Sequence, residues 1–289
     1  MFDNFELTYI DTGTVKIRAR IGGSGPPLLL LHGNPQTHLM WHQVAPELAK
    51  RFTVVVTDLT GYGKSGKPPS TPDHIHYSKR SMARDQIAVM KKLGHSAFMV
   101  AGHDRGGRVA YRMALDHPEI VTKLAVLDII PTEEAFARGG REFGMGYYHW
   151  FFLAQPAPLP ERLIMADPDW FWRWHTARGP RDFFAPEALR DYLECFRDPE
   201  TVRAICEDYR AAANIDCDYD AADQKAGRRI RAPLLVLWGA QARLEQWYDT
   251  LAVWRGWADN VRGRSLDCGH YLPEEQPEET TRELLAFFS

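Results

Sequence analysis

Cysteine is scarce in this chain of 289 residues: Cys195, Cys206, Cys217 and Cys268 are its four. They form neither a CxxC pair nor the dense, even spacing of a disulfide scaffold, so they read as reduced thiols. Long apolar runs are missing too, and nothing approaches the roughly 18–20 residues that span a bilayer. The opening Met1-Phe-Asp-Asn-Phe-Glu has neither the basic nor the apolar region of a secretory leader. A soluble, cytoplasmic protein with no membrane partner is expected. Charge of one sign is not in excess: 35 Lys plus Arg stand against 38 Asp plus Glu, for a net charge of -3. The basic footprint of a nucleic-acid binder is therefore absent. Internal repeats and low-complexity tracts are also lacking.

What is present is ordinary globular composition, with 45% hydrophobic and 25% charged residues. Residues 5–21 alternate around Asp11-Thr-Gly-Thr and predict a hairpin. Then come short apolar blocks, Leu28–Leu31, Thr53–Thr57, Ala97–Ala101, Leu124–Leu127 and Leu234–Trp238. Unbroken blocks of this length fit strands covered on both faces, and helix-length segments such as Ser81–Leu93 and Gly106–Asp116 separate the first four. The rhythm predicts an α/β fold with a mostly parallel, doubly wound sheet. It stops between about Thr132 and Ala222, a stretch dense in aromatics and broken by Pro156, Pro158, Pro160, Pro168, Pro180, Pro186 and Pro199. Residues 132–222 are expected to form a helical cap inserted between core segments 1–131 and 223–289.

Gly102-His103-Asp104-Arg105-Gly106 follows one predicted strand and opens a helix. It has the form G-x-D-x-G, a nucleophile elbow with aspartate where serine is usual. Alone, such a string fits a helix N-cap. Three further strings stand at predicted strand ends, in order: Leu31-His32-Gly33-Asn34-Pro35, Asp58-Leu-Thr-Gly61-Tyr-Gly63 and Cys268-Gly269-His270. An elbow exposes its central side chain and aims the next backbone N–H, here of Arg105, at an oxyanion. His270 is the candidate base. Its orienting acid is Asp128, at the end of one strand, or Glu245, after another.

Together these strings resemble the α/β-hydrolase superfamily over essentially the whole chain. The aspartate narrows the resemblance to haloalkane dehalogenases, epoxide hydrolases and haloacetate dehalogenases. Gly-His-Asp-Arg-Gly-Gly-Arg108, Leu127-Asp128-Ile-Ile-Pro131, Tyr148-His149-Trp150 and Asp208-Tyr209-Arg210-Ala211 resemble the fluoroacetate dehalogenase branch. The resemblance implies hydrolysis of small 2-haloacids through an ester on Asp104, with His270 activating water and Asp128 holding His270. It favours Asp128 over Glu245, and it implies no cofactor or metal. Homodimers are common among such relatives.

Arg105 and Arg108 lie i and i+3 on the elbow helix and share a face. A guanidinium grips a carboxylate bidentately, and the resemblance gives these two the substrate carboxylate. It gives His149, Trp150 and Tyr209, all N–H or O–H donors, to the departing halide. The rest of the run Tyr147–Phe152 reads as cap core. Asn34 departs from the pattern, standing where fluoroacetate dehalogenases commonly carry an aromatic residue and haloalkane dehalogenases an Asn.

Two lures are set aside. Gly63-Lys64-Ser65 would need glycine at position 58 to complete a P-loop, and Asp58 stands there. The pairs His38/His42 and His74/His76 lack further ligands at metal spacing and read as surface or access-loop histidines. Three alternatives stay open: an epoxide hydrolase with the same Asp and His, a haloalkane dehalogenase, and a non-catalytic receptor for a small carboxylate.

Overall fold

The computed structural model describes residues 1–176 and 183–289. The residues around Asp11 form β1 (Glu6–Asp11) and β2 (Lys16–Gly22), an antiparallel pair in which Asp11 faces Lys16. The apolar blocks become β3 (Pro27–Leu31), β4 (Thr53–Thr57), β5 (Phe98–His103), β6 (Val121–Leu127) and β7 (Leu234–Gly239), and β8 (Val261–Leu266) follows. β5 and β6 outrun their apolar blocks because backbone pairing continues, His103 lying beside Leu127 and Val121 beside Phe98.

The eight strands form one sheet in the order β1-β2-β4-β3-β5-β6-β7-β8, with every pairing from β4 to β8 parallel. Leu28–Leu31, Val54–Val56 and Leu234–Leu237 are buried, as a sheet covered on both faces requires. This is the α/β fold with a mostly parallel sheet that the apolar blocks predict. β4 lies on one side of β3 and β5 on the other, so the strand order reverses there. In open α/β sheets such a reversal parts the loops beyond the strands' carboxyl ends and leaves a crevice.

Between β6 and β7 every described element is helical, from Thr132–Ala137 to Cys217–Lys225. The last of these helices runs beyond Ala222. Several of the prolines that break the sequence pattern start helices: Pro160, Pro186 and Pro199 sit in first turns, and Pro168 opens Pro168–Thr176. The missing N–H of proline costs nothing there, and its fixed φ suits the helix. Pro180 lies outside the described residues. All four cysteines are free thiols, and among the described residues no helix is long and apolar enough to cross a membrane.

Candidate active site

β5 turns into the helix Arg105–Asp116 at Asp104, which adopts φ 46° and ψ -117°. That left-handed backbone is strained for a residue with a Cβ, and the packed chain around it holds it in place. Glycine permits the approach. A Cβ on Gly102 would stand 2.4 Å from the Gly106 carbonyl oxygen, and one on Gly106 would stand 2.4 Å from that of His32. Gly33 is equally tight, since its Cβ would fall 2.5 Å from that of Asp104. The loop after β3 therefore lies against the elbow, and the Asn34 backbone N–H donates to Asp104 Oδ2 at 3.0 Å.

Asp104 is buried, which by itself disfavours its charge. The field of His270, His103, Arg105 and Arg108 outweighs burial and holds the carboxyl down at about 2. It is an ionised carboxylate at neutral pH. Beside it, burial and the nearby His270 lower His103 to about 3. Neutral His103 presents Nε2–H to the His270 carbonyl oxygen at 2.7 Å.

His270, in the loop after β8, places Nδ1 2.6 Å from Asp128 Oδ2. The other oxygen of Asp128 accepts the Gly239 N–H at 3.0 Å, so both lone-pair faces of the carboxylate are engaged. Gly239 has to be glycine here, because a Cβ would meet the Gly269 carbonyl oxygen at 2.0 Å. Glu245 is occupied elsewhere, accepting the Trp238 indole N–H.

A narrow cavity is bounded on the core side by Asn34, Asp104, Arg108, Asp128 and His270. On the helical side its walls include His149, Trp150, His175 and Tyr209. Arg108 donates Nη1–H to the Ile130 carbonyl oxygen at 3.0 Å and to Thr132 Oγ1 at 3.1 Å, and its guanidinium lies 4.5 Å over the Trp150 ring. Arg105 is held differently. Asp208 takes its Nε–H at 2.9 Å and one Nη2–H at 2.7 Å, and the guanidinium lies 4.2 Å over the Tyr209 ring. Lys79 and Tyr62 also donate to Asp208. Burial would raise the Asp208 pKa, but Arg105 and Lys79 drive it well below the ordinary carboxylate range. The consequence is two orphans: buried Arg105 Nη1 and Arg108 Nε have no acceptor among the described residues. A buried cationic N–H without an acceptor is costly, and an anionic ligand would satisfy it.

Tyr148–Leu153 is amphipathic, which divides the aromatic run. His149, Trp150 and Leu153 turn inward, whereas Tyr148 and Phe151 are exposed and lie outside the cap core that composition predicts. Tyr147 also lines the cavity. His149 meets His175 with ring centroids 4.5 Å apart at 82°, and Asn34 Nδ2 reaches His175 Nε2 at 3.2 Å and the Tyr209 hydroxyl at 3.4 Å.

His175 was not singled out by the sequence. Its signal is a polar residue on the buried Phe171, Trp172, His175, Thr176 face of an otherwise aromatic helix. His38, read as a surface histidine, is instead buried with Nδ1 2.8 Å from Asp58 Oδ1. The carboxylate that follows β4 draws it inside. His74 pairs with Glu207 at 2.7 Å.

The alpha/beta hydrolase fold family matches residues 26–277 of the chain. The chain is 46% identical to a fluoroacetate dehalogenase of Burkholderia sp., over 100% of this chain and 95% of that one. It is 32% identical to a soluble epoxide hydrolase of Corynebacterium sp. strain C12, over 92% of this chain and 91% of that one. Among solved structures, an alpha/beta hydrolase from Nostoc sp. PCC 7120 superposes with a TM-score of 0.98 at 53% identity, covering 100% of this chain and 99% of its counterpart.

Proposed function

Since this chain belongs to the α/β-hydrolase family, and within it to the haloacetate dehalogenase family, we propose that it hydrolyses small 2-haloacids such as fluoroacetate or chloroacetate to glycolate and halide. The observation that carries the reading is the orphaned donor Arg108 Nε of a residue that lines the same cavity as the ionised Asp104; Arg105 Nη1 also lacks an acceptor, but Arg105 stands behind the cavity wall rather than on it. Both arginines lie on the first turn of the elbow helix. A substrate carboxylate bound beside Arg108 supplies its missing acceptor and sets its own α-carbon before Asp104.

In the first step an Asp104 oxygen attacks that carbon in line, forming a C–O bond as the C–halogen bond breaks. His149, Trp150 and Tyr209 donate to the departing halide. In the second step His270 takes a proton from water, and the resulting hydroxide equivalent adds to Asp104 Cγ. The Asn34 and Arg105 backbone N–H groups take the developing oxyanion. Collapse breaks the ester bond, and the glycolate oxygen leaves with a proton from the His270 imidazolium. The new carboxyl of Asp104 loses its own proton to solvent, which restores the carboxylate. Asp128 holds the imidazole tautomer and stabilises its cation.

The same Asp–His pair serves epoxide opening, with Tyr209 or His149 as the acid that protonates the epoxide oxygen. The 32% identity to an epoxide hydrolase favours keeping that second reading. Buried cationic donors disfavour a neutral substrate. Halide release from fluoro-, chloro- and bromoacetate, run in parallel with diol formation from small epoxides, tests the choice. Diol formation without halide release would overturn the dehalogenase reading.

A further inference from the structure

The base of the second step depends on a loop, and the loop has an unusual anchor. Glu275 Oε2 accepts the Gly269 N–H at 2.7 Å, and Oε1 accepts the Tyr271 N–H at 2.8 Å. One carboxylate thus grips the backbone on both sides of His270. Two N–H groups converging on the two oxygens of one carboxylate fix the loop more firmly than either bond alone. Gly269 leaves room for the grip, since a Cβ there would already stand 3.0 Å from both Glu275 oxygens. The Glu275 N–H in turn donates to the Tyr271 carbonyl oxygen at 2.9 Å, closing the segment on itself. The His270 carbonyl is taken by His103 and its Nδ1 by Asp128.

We infer that Glu275 is a positioning residue for His270, holding the imidazole in register for attack of water on the aspartyl ester. The inference rests on the two-step reading above. Glu275 does not belong to the cavity wall, so it acts through the backbone of its neighbours. Displacing a reacting group by about 1 Å can cost on the order of 100-fold in rate. The imidazole has no part in halide displacement, so loosening it slows only the second step.

The experiment measures rapid-mixing halide release and intact protein mass for Glu275→Ala and Glu275→Gln, with His270→Asn as reference. In Glu275→Ala, kcat should fall at least about tenfold while the first-turnover halide burst keeps its wild-type rate. The burst should approach one halide per site as the ester accumulates on Asp104. Glu275→Gln keeps one acceptor oxygen and should fall between Ala and wild type; it carries the test if Glu275→Ala does not fold. Equal slowing of burst and turnover, or a lowered Tm with no ester, would overturn the inference and leave Glu275 a loop brace. A His270→Asn enzyme that turns over without ever showing an ester overturns the two-step reading itself, which is a separate failure.

Discussion

His270 Nδ1 meets Asp128 Oδ2 at 2.6 Å across 142 residues of sequence, and Asp128 reaches it from a left-handed backbone with φ 52°. The acid follows the end of β6, and the last residue of β7 contributes a backbone N–H to it. Asp128→Asn should lower turnover by about 10³–10⁴-fold, because an amide no longer selects the right tautomer or stabilises the imidazolium. Steady-state kinetics beside a retained first-turnover halide burst checks this. Activity within tenfold of wild type would return the role to another carboxylate.

Asp104 is expected to carry the ester. A single turnover in 18O-water should place label in the Asp104 carboxylate, read by peptide mass spectrometry. Label that reaches only glycolate would mean direct attack by water on the substrate.

The two arginines should respond differently to truncation. Arg108→Leu removes a cavity-lining cation and should cost about 2–5 kcal/mol in kcat/KM for haloacetates. Arg105→Leu strips Asp208 of a buried partner, so it should also destabilise the fold by about 3–5 kcal/mol. Thermal unfolding together with kinetics separates the two. Near-wild-type kinetics in both variants would reopen neutral substrates.

Fluoride leaves as a small, strongly hydrated ion and needs close donors more than chloride does. His149→Ala, Trp150→Phe and Tyr209→Phe should therefore depress fluoroacetate turnover more than chloroacetate turnover. His175→Phe, which removes a partner of Asn34, should shift the ratio in the same direction by a smaller factor. Equal losses on both substrates would make these side chains cap core only.

Glu274 offers a pH test away from the chemistry. Burial pushes its carboxyl from 4.5 up to about 8, against the hydrogen bonds from Tyr192 and Gln36. Between those values the folded chain binds a proton that the unfolded chain has released, so this group's contribution to stability falls as pH rises from 4.5 to 8. In Glu274→Gln the Tm should lose less over that window than in wild type. An unchanged slope would mean that Glu274 is ionised when folded.

Much of this was legible in the sequence because it is local. The elbow glycines, the apolar blocks and the Gly269-His270 string announce strand ends by composition alone. Asp128 could be weighed against Glu245 only through a resemblance, since the choice depends on which strand lies beside the His270 loop. The bidentate hold of Asp208 on Arg105 was invisible for the same reason: it joins residues 103 positions apart. His175 was hidden by its setting among aromatics, where helical spacing marks a buried face without saying that a cavity lies against it. Glu275 stood in plain view five residues after His270, but its two backbone bonds require the loop's three-dimensional course.

The hold on Asp208 also constrains how such a site can change over generations. Arg105, Lys79 and Tyr62 come from three separate stretches of the core and converge on one carboxylate of the helical segment. A lineage drifting toward neutral substrates gains nothing by discarding Arg105 alone, because the orphaned Asp208 charge would penalise every intermediate. Ancestral paths between acid-specific and neutral-specific forms should show position 208 and its cationic neighbours replaced as a set. A mutant library that varies them singly would miss the viable combinations.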